Sequence, residues 1–220
     1  MNKDEIILRL KNFSENVIEV VDSISYSTND YIKEIVAHGA PCGATIVADV
    51  QEGGRGRLGR SWAAAAPGEG IAMSSYFHPN ISIEELPRVT LITALAVKDA
   101  IYQTTGINPD LKWPNDLLIG GKKVCGILTE KITPDADTGV VIGIGINVNQ
   151  KEFPEEIKEK ATSLRVVGGS EYSREPIIAD ILSGIHERLR RLEREGWQGQ
   201  KEEYESALVY PDGEIDSYGG

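Results

Sequence analysis

Residues 111–130 read LKWPNDLLIGGKKVCGILTE, and this stretch decides how the chain around it is arranged. Pro114 has no backbone N–H and does not belong in an ordinary central strand. Residues 113–116, Trp-Pro-Asn-Asp, therefore read as a turn between two extended segments. Gly120 and Gly121 make the next reversal, a hairpin, and residues 122–130 return as a strand. Strict alternation would put Lys123, Cys125 and Ile127 on one face and Val124, Gly126 and Leu128 on the other. The turn gathers Lys112, Asn115 and Asp116; Asx-turn chemistry alone would also account for the last two. Lys123, beside an apolar strand, can be read as a snorkelling side chain. Gly126 in mid-strand marks a close approach of backbone or ligand.

Downstream, residues 140–148 read VVIGIGINV. A dinucleotide fingerprint needs GxGxxG opening a helix, and here the third position is Val148 in an apolar strand, so that fold is rejected. No GxxxxGK[ST] string is present, which removes the Walker loop. Asn147 and Asn149 at the strand's end either read a purine edge or close a turn. The strand is also a candidate edge for pairing two subunits.

Upstream, residues 17–21, 45–50 and 71–78 read as strands. Helical spacing predicts helices over 1–16 (Ile6, Ile7, Leu10, Phe13), 29–38 and 84–105, the last stopped by Gly106. Further helices are expected over 153–160, 174–195 and 197–208, and a turn over 133–138. Ser27 or Thr28 caps the helix at 29, where hydroxyls and N–H groups also suit an anionic or carbonyl ligand. Residues 210–220 read as a frayed tail.

Residues 51–62, QEGGRGRLGRSW, carry the strongest chemical signal. Gly53, Gly54, Gly56 and Gly59 free the backbone, while Arg55, Arg57 and Arg60 load it with planar donors suited to carboxylate and phosphate. Successive N–H groups in such a turn form an anion-binding concavity. Like charges and glycines predict a loop that is mobile when empty. A solvated turn is the bland alternative. A nucleic-acid segment is disfavoured, because a net charge of −11 is the wrong sign for a broad basic face. Trp62 is either an anchor for the loop or a stacking surface for a base.

At 220 residues with 40% hydrophobic and 26% charged residues, the chain suits one soluble domain with a real core, or one domain plus a small appendage. No apolar run approaches a membrane span, and the N-terminus lacks a signal-peptide block, so a cytoplasmic protein with no membrane partner is expected. Cys42 and Cys125 cannot form a disulfide scaffold and read as small buried hydrophobes. Three scattered histidines give no zinc spacing, and no metal ligands are expected from the protein.

Taken in order, GRGRLGRSW, KWPNDLL, GKKVCGILTE and GIGINVN closely resemble the biotin protein ligases, the biotin–acetyl-CoA-carboxylase ligases. Ser27-Thr28-Asn29 fits the same pattern. The resemblance implies an α/β (α+β) domain, a mixed β-sheet packed with helices, with a ligand groove on one face. It implies ATP-dependent formation of biotinyl-5′-AMP and transfer of biotin to a lysine of a biotin carboxyl carrier protein. Mg²⁺ is implied with ATP. By the same resemblance Ser27, Thr28 and Gln51 hold the biotin ring, and Gly54, Arg55, Gly56 and Arg57 wrap the adenylate, with Arg55, a catalytic residue together with Lys123 and Asp116, nearest the biotin carboxyl and phosphate. Arg60 binds the triphosphate and Trp62 packs on adenine. Lys123 sits on the reacting oxygens, Gly126 gives the biotin chain room, and Asn115 and Asn147 line the nucleotide side. Asp116 accepts from the incoming lysine.

The catalytic domain is expected over 1–208 with a short tail, 209–220, too short for the SH3-like barrel that many members carry. Residues 1–16 are too few for a helix-turn-helix domain, so no DNA binding is expected. A homodimer is left open. Two rival readings remain: a lipoate-type acyl ligase of the same fold, and a protein that binds biotinyl-adenylate without transferring it.

Overall fold

In the computed structural model, residues 1–10, 17–133 and 138–209 are described. The elements in chain order are α1 (Lys3–Arg9), β1 (Ile18–Ile24), α2 (Thr28–Ala37), β2 (Thr45–Gln51), β3 (Gly70–Phe77) and α3 (Leu86–Thr105). There follow β4 (Asp110–Lys112), β5 (Asp116–Ile119), β6 (Lys122–Ile132), β7 (Gly139–Asn147), α4 (Leu164–Gly168), α5 (Arg174–Glu195) and α6 (Gln198–Ser206). Seven strands form one sheet in the order β1-β2-β3-β7-β6-β5-β4. β1 and β2 run parallel, joined by α2 as the crossover, and every other pair is antiparallel. The sheet is thus mixed, as expected.

The pattern of β7 explains the layers. Val140, Ile142, Ile144 and Ile146 face one side, into a large core built with α3, α5 and α1. Val141 faces the other side, into a smaller core under α2 with Ile24, Ile32, Val36, Ile46, Ala48 and Tyr76. The alternate glycines Gly143 and Gly145 share that second side. Helix α5 buries Ile177, Ile178, Ile181, Leu182, Ile185, Leu189 and Leu192 at helical spacing. Each such side chain contributes about 1.5–3 kcal/mol on burial. Gly106 ends α3 in the left-handed conformation (φ 72°).

Several expectations need correction. β7 is paired on both sides, by β3 and β6, so it offers no edge to a second subunit. Residues 153–160 form irregular turns rather than a helix, because Phe153 and Ile157 are too few to make a buried stripe. The end of that segment instead pairs with β6, through an isolated bridge between Lys123 and Ala161. Helix α4, capped by Ser163 and stopped at Gly169, was not anticipated. α1 ends at Arg9, and the expected continuation through Phe13, the turn at 134–137 and the tail at 210–220 lie outside the described residues. Cys125 is buried as expected, and burial pushes its thiol well above the usual range, but Cys42 is exposed.

Alternation in β6 is also broken. Leu117 pairs with Cys125 but Leu118 pairs with Lys123, so Val124 is an extra residue, a β-bulge. The cause lies outside the hairpin. The Lys123 N–H donates to the Lys160 carbonyl (2.8 Å), and the Thr162 N–H donates to the Lys123 carbonyl (2.9 Å). Val124 and Cys125 both enter the main core, and Lys123 is turned onto the same face as Gly126, whose ideal Cβ would stand 3.1 Å from Lys123 Nζ.

Candidate active site

On the α2 side of the sheet lies a cavity of about 450 Å³. Its floor is β6 and β7, where Gly126 and Gly145 are cross-strand partners. The Trp62 indole rests on both. A Cβ on Gly145 would stand 2.5 Å from Trp62 Cε2, and one on Gly126 2.9 Å from Cζ3, so only glycine admits the ring. Lys123 Nζ sits 5.5 Å from the indole centroid. Trp62 is therefore both an anchor for its loop and an aromatic surface facing the cavity. In this structure the indole lies over Gly126.

One end wall is the N-terminus of α2. Ser27 caps it, its Oγ accepting from the Asn29 N–H (3.2 Å). The Thr28 N–H donates to Gln51 Oε1 (2.7 Å), which ties the helix to the end of β2. Ser74 Oγ is hydrogen-bonded to Thr28 Oγ1 (2.7 Å) and Asn29 Oδ1 (2.6 Å). Ser27, Thr28, Asn29 and Gln51 all line the cavity and all are buried. Asn29 was missed as a site residue, having the look of an ordinary first-turn residue. Its neighbour Gly143, where an ideal Cβ would stand 2.2 Å from Asn29 Oδ1, was the available signal.

The arginine loop forms the roof. Arg55 and Ser61 bridge antiparallel, Gly56 N–H donates to the Arg60 carbonyl (2.7 Å) and Trp62 N–H to the Gly54 carbonyl (3.0 Å). Gly54 does not itself line the cavity: a Cβ there would stand 2.7 Å from the Trp62 carbonyl, so it lets the hairpin close. At the tip, Leu58 adopts φ 56° and is 90% exposed, a strained backbone for a branched side chain. Arg55 reaches Asp30 (2.5 Å) and Glu130 (3.0 Å). Arg57 donates to Asn115 Oδ1 (3.3 Å). Arg57 and Arg60 form no ion pair among the described residues.

The opposite wall is the Trp113–Pro114 turn, whose peptide bond is cis. Asn115 staples this turn to β6: its Nδ2 donates to the Ile127 carbonyl (2.8 Å), and the Ile127 N–H donates to the Asn115 backbone carbonyl (2.9 Å). Asp116 pairs with Lys123 (Oδ1 to Nζ, 2.6 Å). Asn147 is not at the cavity. It is buried, donating to the Thr162 carbonyl (3.0 Å) and accepting from Gln150 (3.1 Å). It thereby holds the segment that grips the Lys123 backbone.

Five cations, Arg55, Arg57, Arg60, Lys112 and Lys123, line the cavity against one carboxylate, Asp116, among the described residues. Asp116 pairs with Lys123, and Asp30 and Glu130 just outside the cavity pair with Arg55, which leaves Arg57, Arg60 and Lys112 without an ion pair among the described residues, a local cationic excess suited to an anion in a chain of net charge −11. An aromatic face, buried amide and hydroxyl groups and a cationic roof suit a ligand with a flat apolar part, a polar ring and several negative oxygens.

Residues 17–147 match the Biotin/lipoate A/B protein ligase family, and the chain belongs to that family. The bifunctional ligase/repressor BirA of Bacillus subtilis is 40% identical over 193 residues, 86% of this chain and 59% of the relative. The biotin--[acetyl-CoA-carboxylase] ligase of Mycobacterium tuberculosis is 35% identical over 167 residues, 74% of this chain and 60% of the relative. The chain thus spans about three-fifths of the length of these curated relatives. The structure of the biotin protein ligase from Aquifex aeolicus in complex with biotin and ATP matches with a TM-score of 0.77 at 35% identity, covering 88% of this chain and 78% of that one.

Proposed function

We propose that this chain activates biotin with ATP and transfers it to a lysine of a biotin carboxyl carrier protein. The observation that carries this reading is the set of cations lining an aromatic and amide-lined cavity, of which Arg57, Arg60 and Lys112 form no ion pair among the described residues. The biotin and ATP bound to the Aquifex relative support the same reading. A carboxylate is a poor electrophile. It is activated when its oxygen attacks the α-phosphorus of ATP and pyrophosphate leaves, giving the mixed anhydride biotinyl-5′-AMP. The acceptor lysine amine then attacks the acyl carbon, AMP leaves, and an amide forms.

Both reactants of the first step are anions, so cations must offset their repulsion. Lys123 is the residue assigned to the reacting oxygens, with Asp116 aiming its ammonium. Arg57 and Arg60, whose charges are unmatched by ion pairs among the described residues, take the phosphates. Trp62 stacks the adenine, Asn115 holds Arg57 and borders the nucleotide, and Ser27, Thr28 and Gln51, joined by Asn29 in the same wall, bind the ureido end of biotin. Gly126 and Gly145 keep the floor low. Asp116 meets Lys123 through Oδ1, and its carboxylate has further lone pairs with which to accept the acceptor lysine's proton.

Mg²⁺ would travel with ATP. The described residues hold no group of three or more His, Cys, Asp or Glu side chains that converge on a point, so the phosphates supply most of its ligands. The same reading places the reaction in the cytoplasm. Biotin-dependent exchange of labelled pyrophosphate into ATP tests the first step, and covalent capture of labelled biotin by a carrier domain tests the second. Exchange with lipoate in place of biotin would replace the reading by its acyl-ligase rival, and exchange without capture by the binding-only rival.

A further inference from the structure

Glu130 does not line the cavity, yet it is the most heavily engaged carboxylate beside it. It lies on β6 two residues beyond Leu128, on the same face as Gly126. It accepts from Asn29 Nδ2 (2.7 Å), Lys33 Nζ (2.6 Å) and both terminal nitrogens of Arg55 (3.0 and 3.4 Å). Asp30 completes the group, 2.5 Å from Arg55 and 3.6 Å from Lys33. Two carboxylates thus meet two cations, so the charge of Arg55 is matched within the protein. The group also joins three separate parts of the fold: the loop through Arg55, the start of α2 through Asn29, Asp30 and Lys33, and the sheet through Glu130.

This divides the work of the three loop arginines. Arg57 and Arg60 carry charge toward the cavity without ion pairs among the described residues, whereas Arg55 is a strut. We propose that Glu130, seconded by Asp30, is a positioning residue: it holds Arg55, and with it the whole loop, down over the cavity, and so sets how long the activated acyl group is retained. The retention part rests on the ligase reading above; the holding of the loop does not. A hairpin with glycine at 54, 56 and 59 has little stiffness of its own, and one anchored arginine converts a free flap into a roof fixed near both ends.

The test uses the full chain, Glu130→Gln, Asp30→Asn, Arg55→Ala and the double variant Glu130→Gln/Arg55→Ala. Hydrogen exchange of the ligand-free protein reads the strut directly. The amides of Gly56, Arg60 and Trp62 should exchange at least tenfold faster in Glu130→Gln while those of β7 keep the wild-type rate. Unchanged loop amides overturn the proposal. If β7 also accelerates, Asp30→Asn, at a half-buried position in the first turn of α2, decides: faster loop amides support the strut, wild-type ones overturn it. For retention, each protein is loaded with biotin and ATP and the half-life of its bound adenylate is followed. Glu130→Gln should shorten it at least tenfold, and in the Arg55→Ala background it should shorten it no further. An additive loss would mean that Glu130 acts through general stability and overturns the positioning role. A wild-type chain that forms no adenylate overturns the ligase reading alone, and the exchange rates still decide the strut.

Discussion

Lys123 Nζ lies 2.6 Å from Asp116 Oδ1, and the pair exists because a bulge at Val124 turns the lysine onto the cavity face. Without the extra residue, alternation would send Lys123 toward the main core with Cys125 and Ile127. The backbone bonds to Lys160 and Thr162 that hold the bulge come from a segment some way along the chain. The ammonium is thereby fixed between Asp116 and the Trp62 ring, close to the floor where reacting oxygens would lie. Lys123→Ala removes a preorganised charge from that point. Biotin-dependent pyrophosphate exchange should fall by ~10²–10³-fold, the scale for losing one such stabilising group, with the melting temperature little changed. Wild-type exchange in this variant would remove Lys123 from the reaction.

The glycine at 145 is required by the indole above it. Gly145→Ala places a methyl where Trp62 now sits and forces the ring, and the loop behind it, off the floor. Overpacking of this kind costs ~1–3 kcal/mol. Urea denaturation should show that loss, and calorimetry should show weaker nucleotide binding. Adding Trp62→Ala should restore the stability but not the binding. If the double variant is no more stable than Gly145→Ala, the indole is not what the glycine accommodates.

What the sequence reveals here is what short stretches encode by themselves. The stripe of isoleucines and leucines sets α5 at residues 174–195, and Gly106 and the Gly120-Gly121 pair mark their turns because local backbone conformation demands it. The loop glycines and arginines announce an anion site. What stayed hidden depends on partners distant in sequence. Lys123's face is decided by residues 160–162, and Asn147, which sits beside apolar strand residues, is drawn away from the cavity by the Thr162 carbonyl. Asn29 looks like part of a helix cap until Ser74 and Gly143 are seen next to it. Residues 153–160 contain helix formers, but no apolar stripe gives a helix there anything to bury.

Among the described residues Arg57 makes one side-chain hydrogen bond, to Asn115, and no ion pair. Arg57→Ala should therefore leave the loop's attachment through Arg55 intact and still loosen the adenylate. A charge-assisted hydrogen bond is worth about 1.5–3 kcal/mol, so escape should quicken by ~10–150-fold. Freed biotinyl-5′-AMP acylates amines without selection. Incubation with biotin, ATP and a bystander protein should label that protein's surface lysines, and mass spectrometry would count them. A bystander as clean as with the wild type would show that Arg57 does not hold the adenylate.

Asp49 and Arg174 give the pH dependence of stability a definite sign. Arg174 is buried at the start of α5, bonded to Asp49 and to the Gly70 carbonyl (2.7 Å). Burial alone would raise the Asp49 carboxyl, but the hydrogen bonds from Arg174 and the Gly68 N–H outweigh it and hold it below its ordinary value of 3.8. A depressed carboxyl stabilises the fold above its unfolded value, and that contribution is lost as the pH falls below 3.8 and through the folded value. Arg174→Met should cost roughly 2–3 kcal/mol at pH 7, less than the ~3–5 of a fully buried pair because Asp49 keeps some solvent. The gap between wild type and Arg174→Met in urea denaturation should be constant from pH 7 to about 5 and narrow below 3.8. A gap that stays open in acid would place the stabilisation in the bond to Gly70 rather than in the ion pair.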